Sequence, residues 1–203
     1  MKTKMMLAVS VVAVLVLLSG CGGGGYAKTD FLSDYSKLQK ESDSSMRYVD
    51  NAVVAKYSGF IIDPVQVRFY KGAKSEGKLT KEQITDLTNY THSKLIDAVQ
   101  GAGKKIVYKP APGVARIRVA LTDIQKTSAV NIVPQASLLG AGIGGASMEA
   151  EVVDSVTNKQ IGAVVESGKG GRIPFTNLGD WTAAEKVIEG WTTRFQKRLE
   201  EAK

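Results

Sequence analysis

The sequence predicts one two-layer α+β domain: a mixed or antiparallel sheet with two amphipathic helices packed on one face. Three patterns carry this. Val114–Gln125 alternates, with Ile117, Val119 and Leu121 facing one way and Arg116, Arg118 and Thr122 the other. Residues 81–100 and 182–201 each place apolar residues at helical spacing. The order strand, helix, strand, hairpin, helix buries both helical stripes against one sheet.

The elements are justified in chain order. Residues 31–40 read as one or two helical turns, since Phe31, Leu32, Tyr35 and Leu38 can share one side; residues 41–45 are polar and read as a loop. Within 57–70, Val65, Val67 and Phe69 alternate with Gln66, Arg68 and Tyr70, a strand period, and Pro64 belongs at a strand start, edge or bulge because it lacks an amide hydrogen. A loop over 71–77 follows. The first long helix opens on Thr80 and Gln83, a capping box, buries Ile84, Leu87, Thr91, Leu95 and Val99, and stops at Gly101 and Gly103. Residues 105–108 form a short strand, 110–113 a turn, and 114–125 the long strand. Strands over 147–156 and 160–167 pair through a turn at Asn158-Lys159. A glycine-rich loop, 168–171, leads to the last helix, with Thr182 and Glu185 as a second capping box. Its stripe is Trp181, Ala184, Ile188, Trp191, Phe195 and Leu199, and Arg194, Lys197 and Arg198 suit the negative end of its dipole.

Ahead of the domain, Lys2 and Lys4 precede an uncharged apolar run over 5–18, too short for the roughly 20 residues of a spanning helix. Leu18-Ser19-Gly20-Cys21 follows. A cysteine behind Leu-Ser-Gly at the end of such a run resembles the bacterial lipobox. That resemblance implies that residues 1–20 are a cleaved lipoprotein signal peptide and that Cys21 carries the lipid. Cys21 is the chain's single cysteine, so lipidation leaves no thiol for a disulfide, metal site or nucleophile. Several acyl chains hold firmly where one is marginal. Residues 21–30, with four consecutive glycines, read as a lipidated N-terminus and flexible tether, reaching about 30 Å when extended. Gly22 in place of Asp after the cysteine implies, by analogy with Gram-negative sorting, the inner leaflet of the outer membrane, facing the periplasm. Residues 31–203 remain as the single domain. Losing Lys2 and Lys4 lowers the formal charge from +7 to +5, a mild excess that suits anionic lipid or polysaccharide nearby and gives no argument for nucleic acid.

Beyond the anchor no motif specifies chemistry. His92 is the single histidine, too few for a zinc site and without a positioned nucleophile. Glycines 140, 142 and 145 match dinucleotide-motif spacing, but a strand follows them where that motif needs a helix. Asp34, Asp43, Asp50, Asp63, Asp123, Asp154 and Asp180 show no calcium-loop spacing. Trp181, Trp191 and Tyr90 read as core or, alternatively, as sugar-stacking rings. No cofactor or metal is expected. Residues 127–148 carry no charge and form a glycine-rich loop with three readings: a loop packed on the sheet, a partner-binding or self-association surface, or membrane insertion.

The stretches Phe31–Leu38, Ile62–Val67 and Pro112–Asp123, together with the helix containing Trp191, resemble a bacterial lipoprotein family, domain of unknown function 3313 (DUF3313). A fainter, fold-level likeness is to periplasmic domains of the curli secretion channel and the TolB N-terminal type. The family resemblance implies no activity and no catalytic residues, so Cys21 is the one site carried over. The expectation is a non-catalytic, membrane-anchored envelope module that meets a periplasmic protein or itself. The alternative is a lipid- or glycan-binding lipoprotein with a pocket near 127–148. A third reading, an enzyme using His92 or paired carboxylates, has the least behind it.

Overall fold

The computed structural model describes residues 28–126, 144–170 and 181–202. Cys21, the signal segment and Asp180 lie outside the described residues. So does the uncharged stretch as far as residue 143.

Eight strands form one mixed sheet: β1 (Gln39–Ser42), β2 (Ser45–Val49), β3 (Gly59–Ile62), β4 (Gln66–Val67), β5 (Lys105–Ile106), β6 (Val114–Gln125), β7 (Gly145–Asp154) and β8 (Gln160–Lys169). Among the described residues three helices accompany them: α1 (Asn51–Val54), α2 (Lys81–Gly101) and α3 (Thr182–Glu201). The strand order is β1-β2-β8-β7-β6-β3-β5, with β4 beside β6 past the end of β3. Pairs from β1 through β6 are antiparallel, while β3, β4 and β5 join in parallel. Parallel pairing needs a crossover, which α2 supplies between β4 and β5.

The long strand β6 organises the core. Ala115, Ile117, Val119 and Leu121 are buried under the helices, as their alternation predicts. A bulge between Leu121 and Asp123 shifts the parity, so Ile124 returns to the same face. Helix α3 packs over β7 and β8, α2 over β3, β4 and β5, and the two helices touch each other. The capping box of α2 forms as expected, with the Gln83 amide 3.3 Å from Thr80 Oγ1 and the Thr80 amide 3.0 Å from Gln83 Oε1. The second one does not. Helix α3 starts at Thr182 itself, and Trp181 occupies the cap position without a side-chain cap bond.

The sheet's other face is also covered. Phe31, Leu32 and Leu38 bury Ala120, Ala163 and Val165, with Tyr35, Met46 and Tyr48 at the margin. This segment, residues 28–38, is a strap and not the helical turn expected over 31–40. Its amides explain the difference. Phe31 and Leu32 donate to Tyr35 Oη and Ser33 donates to Glu151, while the Ser36 amide goes to Asp34 Oδ1 and the Leu38 amide to the Tyr35 carbonyl, in place of the carbonyls four residues back that a helix would use. Residues 39–49 form the hairpin β1–β2 where a loop was expected over 41–45; β1 is exposed along its length, so its outer-edge position leaves no apolar alternation to read. The strand expected across 57–70 is broken into β3 and β4 at Asp63-Pro64-Val65.

Two glycine-rich segments are reassigned. Residues 145–146, within the stretch read as a loop, belong to β7, which starts two residues before the expected 147. Gly168 lies in β8, and Gly170 follows it beneath the first turn of α3. A Cβ on Gly168 would come within 2.6 Å of Val187 Cγ1, and one on Gly170 would meet Ala183. At these positions glycine permits close approach of helix and sheet.

Candidate functional site

Two constructions stand out, one on each face of the sheet. The first ties down the strap. Glu149 and Glu151 lie on β7, on the face away from the helices, and are 0 % and 1 % exposed. A buried carboxylate needs several donors to offset its lost hydration. Glu149 receives the Thr29 amide at 2.8 Å, Thr29 Oγ1 at 2.9 Å and the Tyr35 hydroxyl at 2.5 Å. Glu151 receives the Ser33 amide at 2.9 Å, Ser33 Oγ at 2.7 Å, Gln160 Nε2 at 2.9 Å and Arg118 at 2.6 Å. Phe31 sits between these anchor points, its ring 5.3 Å from the Arg118 guanidinium and 5.4 Å from that of Arg68. Burial, reinforced by the Glu149 carboxylate, pushes the Tyr35 hydroxyl up to about 12. Thr29, placed in the tether by composition, is thus docked on the sheet.

Neither glutamate was singled out from the sequence. The signal was the run Met148-Glu149-Ala150-Glu151-Val152, which puts two acids on one face of a strand whose hydrophobic neighbours mark it as central. What hides the site is that its strap donors, Thr29, Ser33 and Tyr35, lie 114–120 residues away.

The second construction is a cleft of about 120 Å³ between α3 and the sheet. Val119, Ala150 and Val164 form its floor, and Leu95, Ile188 and Trp191 its walls. Arg47, Arg194 and Arg198 also line it. Glu41 pairs with Arg47 at 2.6 Å and with Arg198 at 3.4 Å; Glu166 pairs with Arg194 at 2.5 Å. Three guanidinium groups therefore share two carboxylates. Burial lowers the Arg198 pKa from its usual value, and the neighbouring Arg47 charge lowers it further. Of residues 127–148, Met148 alone lines this cleft among the described residues. Residues 127–143, near which a pocket was expected, lie outside the described residues.

The remaining candidates are dispersed. His92, half-buried on α2, places Nε2 3.4 Å from the Ile62 carbonyl. Asp123 is buried and receives the Ser75 amide at 3.1 Å and also the Ser75 hydroxyl. Asp50 caps α1, Asp63 pairs with Arg116, and Asp34 holds Ser36. Asp154 shapes the β7–β8 turn by accepting the Val156 and Thr157 amides and the Tyr57 hydroxyl. Trp191 is buried, and the Tyr90 hydroxyl donates to Glu189 at 2.8 Å. Among the described residues no cluster of three His, Cys, Asp or Glu side chains could hold a metal, and no helix is long and apolar enough to cross a membrane.

Strap, sheet and paired helices define a small α+β domain whose N-terminal segment is fastened across the sheet face opposite the helices. The chain belongs to the family described as protein of unknown function (DUF3313), whose model matches residues 27–195. It is 25 % identical over 193 residues to the uncharacterized lipoprotein YdcL of Escherichia coli K12, covering 84 % of this chain and 85 % of the relative. Among solved structures it is similar to the PelC dodecamer of Paraburkholderia phytofirmans, with a TM-score of 0.48 and 10 % identity over 77 % of this chain and 96 % of that one. It is also similar to a Xanthomonas campestris protein of family DUF330, with a TM-score of 0.48 and 9 % identity over 72 % and 85 % of the respective chains.

Proposed function

We propose that this protein is a non-catalytic lipoprotein of the cell envelope, anchored through Cys21 and presenting its domain to a periplasmic partner or to further copies of itself. The observation that carries the reading is the docking of Thr29 on Glu149, eight residues after Cys21. A freely hanging domain would need no such fastening. Here the chain leaving the anchor is held to the central strand of the sheet, so pull or orientation imposed at the lipid passes directly into the fold. The likeness to a relative named as a lipoprotein supports the anchor, and Gly22 supports the outer membrane's inner leaflet as its location.

Palmitate labelling of the full chain and its Cys21→Ser variant, followed by membrane fractionation and crosslinking in intact envelopes, tests this. The expected result is label on the wild type only, outer-membrane sedimentation, and a reproducible crosslinked species. An unlabelled thiol, or a cytosolic wild-type chain, overturns it. The cleft under α3 supports a second reading, ligand binding, whose ligand class is taken up next.

A further inference from the structure

We propose that the cleft between α3 and the sheet binds a single alkyl chain carrying an anionic headgroup, with the chain on Val119, Ala150, Val164 and Trp191 and the headgroup among Arg47, Arg194 and Arg198.

The lining is mostly apolar; besides its charged residues, Asn51, Thr91 and Thr192 are its polar members. The two threonines have spent their hydroxyl protons within their own helices: Thr91 Oγ1 donates to the Leu87 carbonyl at 2.7 Å and Thr192 Oγ1 to the Ile188 carbonyl at 3.1 Å. A water held there needs two to four polar partners, and a sugar needs more. At about 120 Å³ the space is close to the roughly 150 Å³ of apolar cavities that stay dry and take up small hydrocarbons. A space of that size holds a stretch of one chain and leaves no room for a second. The rim supplies the opposite chemistry. Arg47 and Arg198 are each about one-third exposed and share one carboxylate, Glu41, at 2.6 and 3.4 Å. Arg194 pairs with Glu166. Three fixed positive charges against two negative ones leave a place for one more anion, and planar guanidinium groups suit a carboxylate or phosphate. An aliphatic lining with a basic mouth fits a fatty acid or lysophospholipid. It does not fit a neutral glycan, which the apolar lining would leave unpaired.

This site is geometrically separate from the strap, and it deepens the envelope reading by naming a ligand class. The test uses the full chain in cells fed a diazirine-bearing palmitate, with adducts mapped by mass spectrometry before and after irradiation. Lipidation of Cys21 is independent of light; occupancy of the cleft gives light-dependent adducts on peptides from 148–152, 162–166 and 188–199. Adduct mass distinguishes free fatty acid from phospholipid. Ala150→Leu, which fills the floor, is expected to cut the light-dependent signal about tenfold. Arg198→Gln, at the rim, should cut it severalfold while leaving the apolar lining in place, and it decides the question if Ala150→Leu fails to fold. Adducts scattered over the surface, adducts unchanged in both variants, or adducts joined to the Cys21 peptide overturn the proposal. Loss of the light-independent Cys21 modification with cleft adducts retained overturns the anchor and leaves the cleft assignment standing.

Discussion

Glu149 and Glu151 project from the same side of β7, two residues apart, and each grips a different point of the strap: Thr29 with Tyr35 on one, Ser33 on the other, which also receives Arg118 of β6. Removing one carboxylate leaves part-buried donors without their acceptor, which adds to the loss of the bonds themselves. Glu149→Ala strands the Thr29 amide, its hydroxyl and the Tyr35 hydroxyl, and should lower stability by roughly 2–4 kcal/mol. Urea denaturation measures this. Limited proteolysis of the folded variant should cut first within 28–38, since the strap loses its hold before the helical core does. A variant as stable and as resistant as wild type would show that the strap is held by Phe31 and Leu32 alone.

Opposite ends of the pH scale should act on the β7–β8 turn through two hydrogen-bonded groups, Asp154 and Tyr57. Asp154 is held at about 2, first by the Thr157 amide and then by the Tyr57 hydroxyl. Its folded value lies below the ordinary carboxylate value of 3.8, so its contribution is complete above about pH 4 and is lost as pH falls towards 2. Tyr57 is pushed up to about 12, first by burial and then by its bond to Asp154. Its folded value lies above the ordinary 10.0, so its contribution is complete below pH 10 and is lost between 10 and 12. Urea midpoints followed across pH should therefore flatten on the acid side in Asp154→Asn and on the alkaline side in Tyr57→Phe. Parallel curves for wild type and variants would refute the assignment.

How far the fold could be read in advance follows from the range of the interactions. Strand β6, both long helices and the β7–β8 hairpin announce themselves because their burial alternates at 2.0 or 3.6 residues within one segment. The Thr80–Gln83 box is likewise local. Residues 31–38 mislead because Phe31, Leu32, Tyr35 and Leu38 fit a helical stripe, while the groups that defeat the helix, Glu149 and Glu151, lie more than 100 residues onward. The cleft is equally non-local. Arg47 on β2 and Arg198 on α3 meet because β2 pairs with β8 and α3 crosses β8, relations that no single segment encodes. The glycines at 168 and 170 look like flexibility in sequence and serve close approach in space.

That last distinction can be measured. Gly145 lies opposite Lys169 at the end of the β7–β8 ladder, and a Cβ there would run into the Gly168 carbonyl. Backbone cannot rotate aside as a long side chain can, so Gly145→Ala must spread the two strands. Gly168→Ala meets Val187 Cγ1 instead, and the helix must shift or Val187 must change rotamer. Overpacking of this kind costs about 1–3 kcal/mol. Both variants should melt below wild type, with Gly145→Ala the lower because its obstacle is main chain. An unchanged melting temperature for Gly145→Ala would mean that the strand ends separate freely.

The capping box of α2 supplies a milder and more local test. Thr80 Oγ1 takes one of the free amides at the helix start, and Gln83 returns the bond to the Thr80 amide. Thr80→Ala removes the first bond and leaves the second, so the cost should be about 1 kcal/mol. Thr80→Ser keeps the hydroxyl and should recover most of it. Because Leu87, Leu95 and Val99 are buried against the sheet whether or not the first turn frays, hydrogen exchange should quicken at 81–84 and stay slow beyond Leu87. Exchange that quickened evenly along the helix would instead mean that α2 opens as one unit with the core.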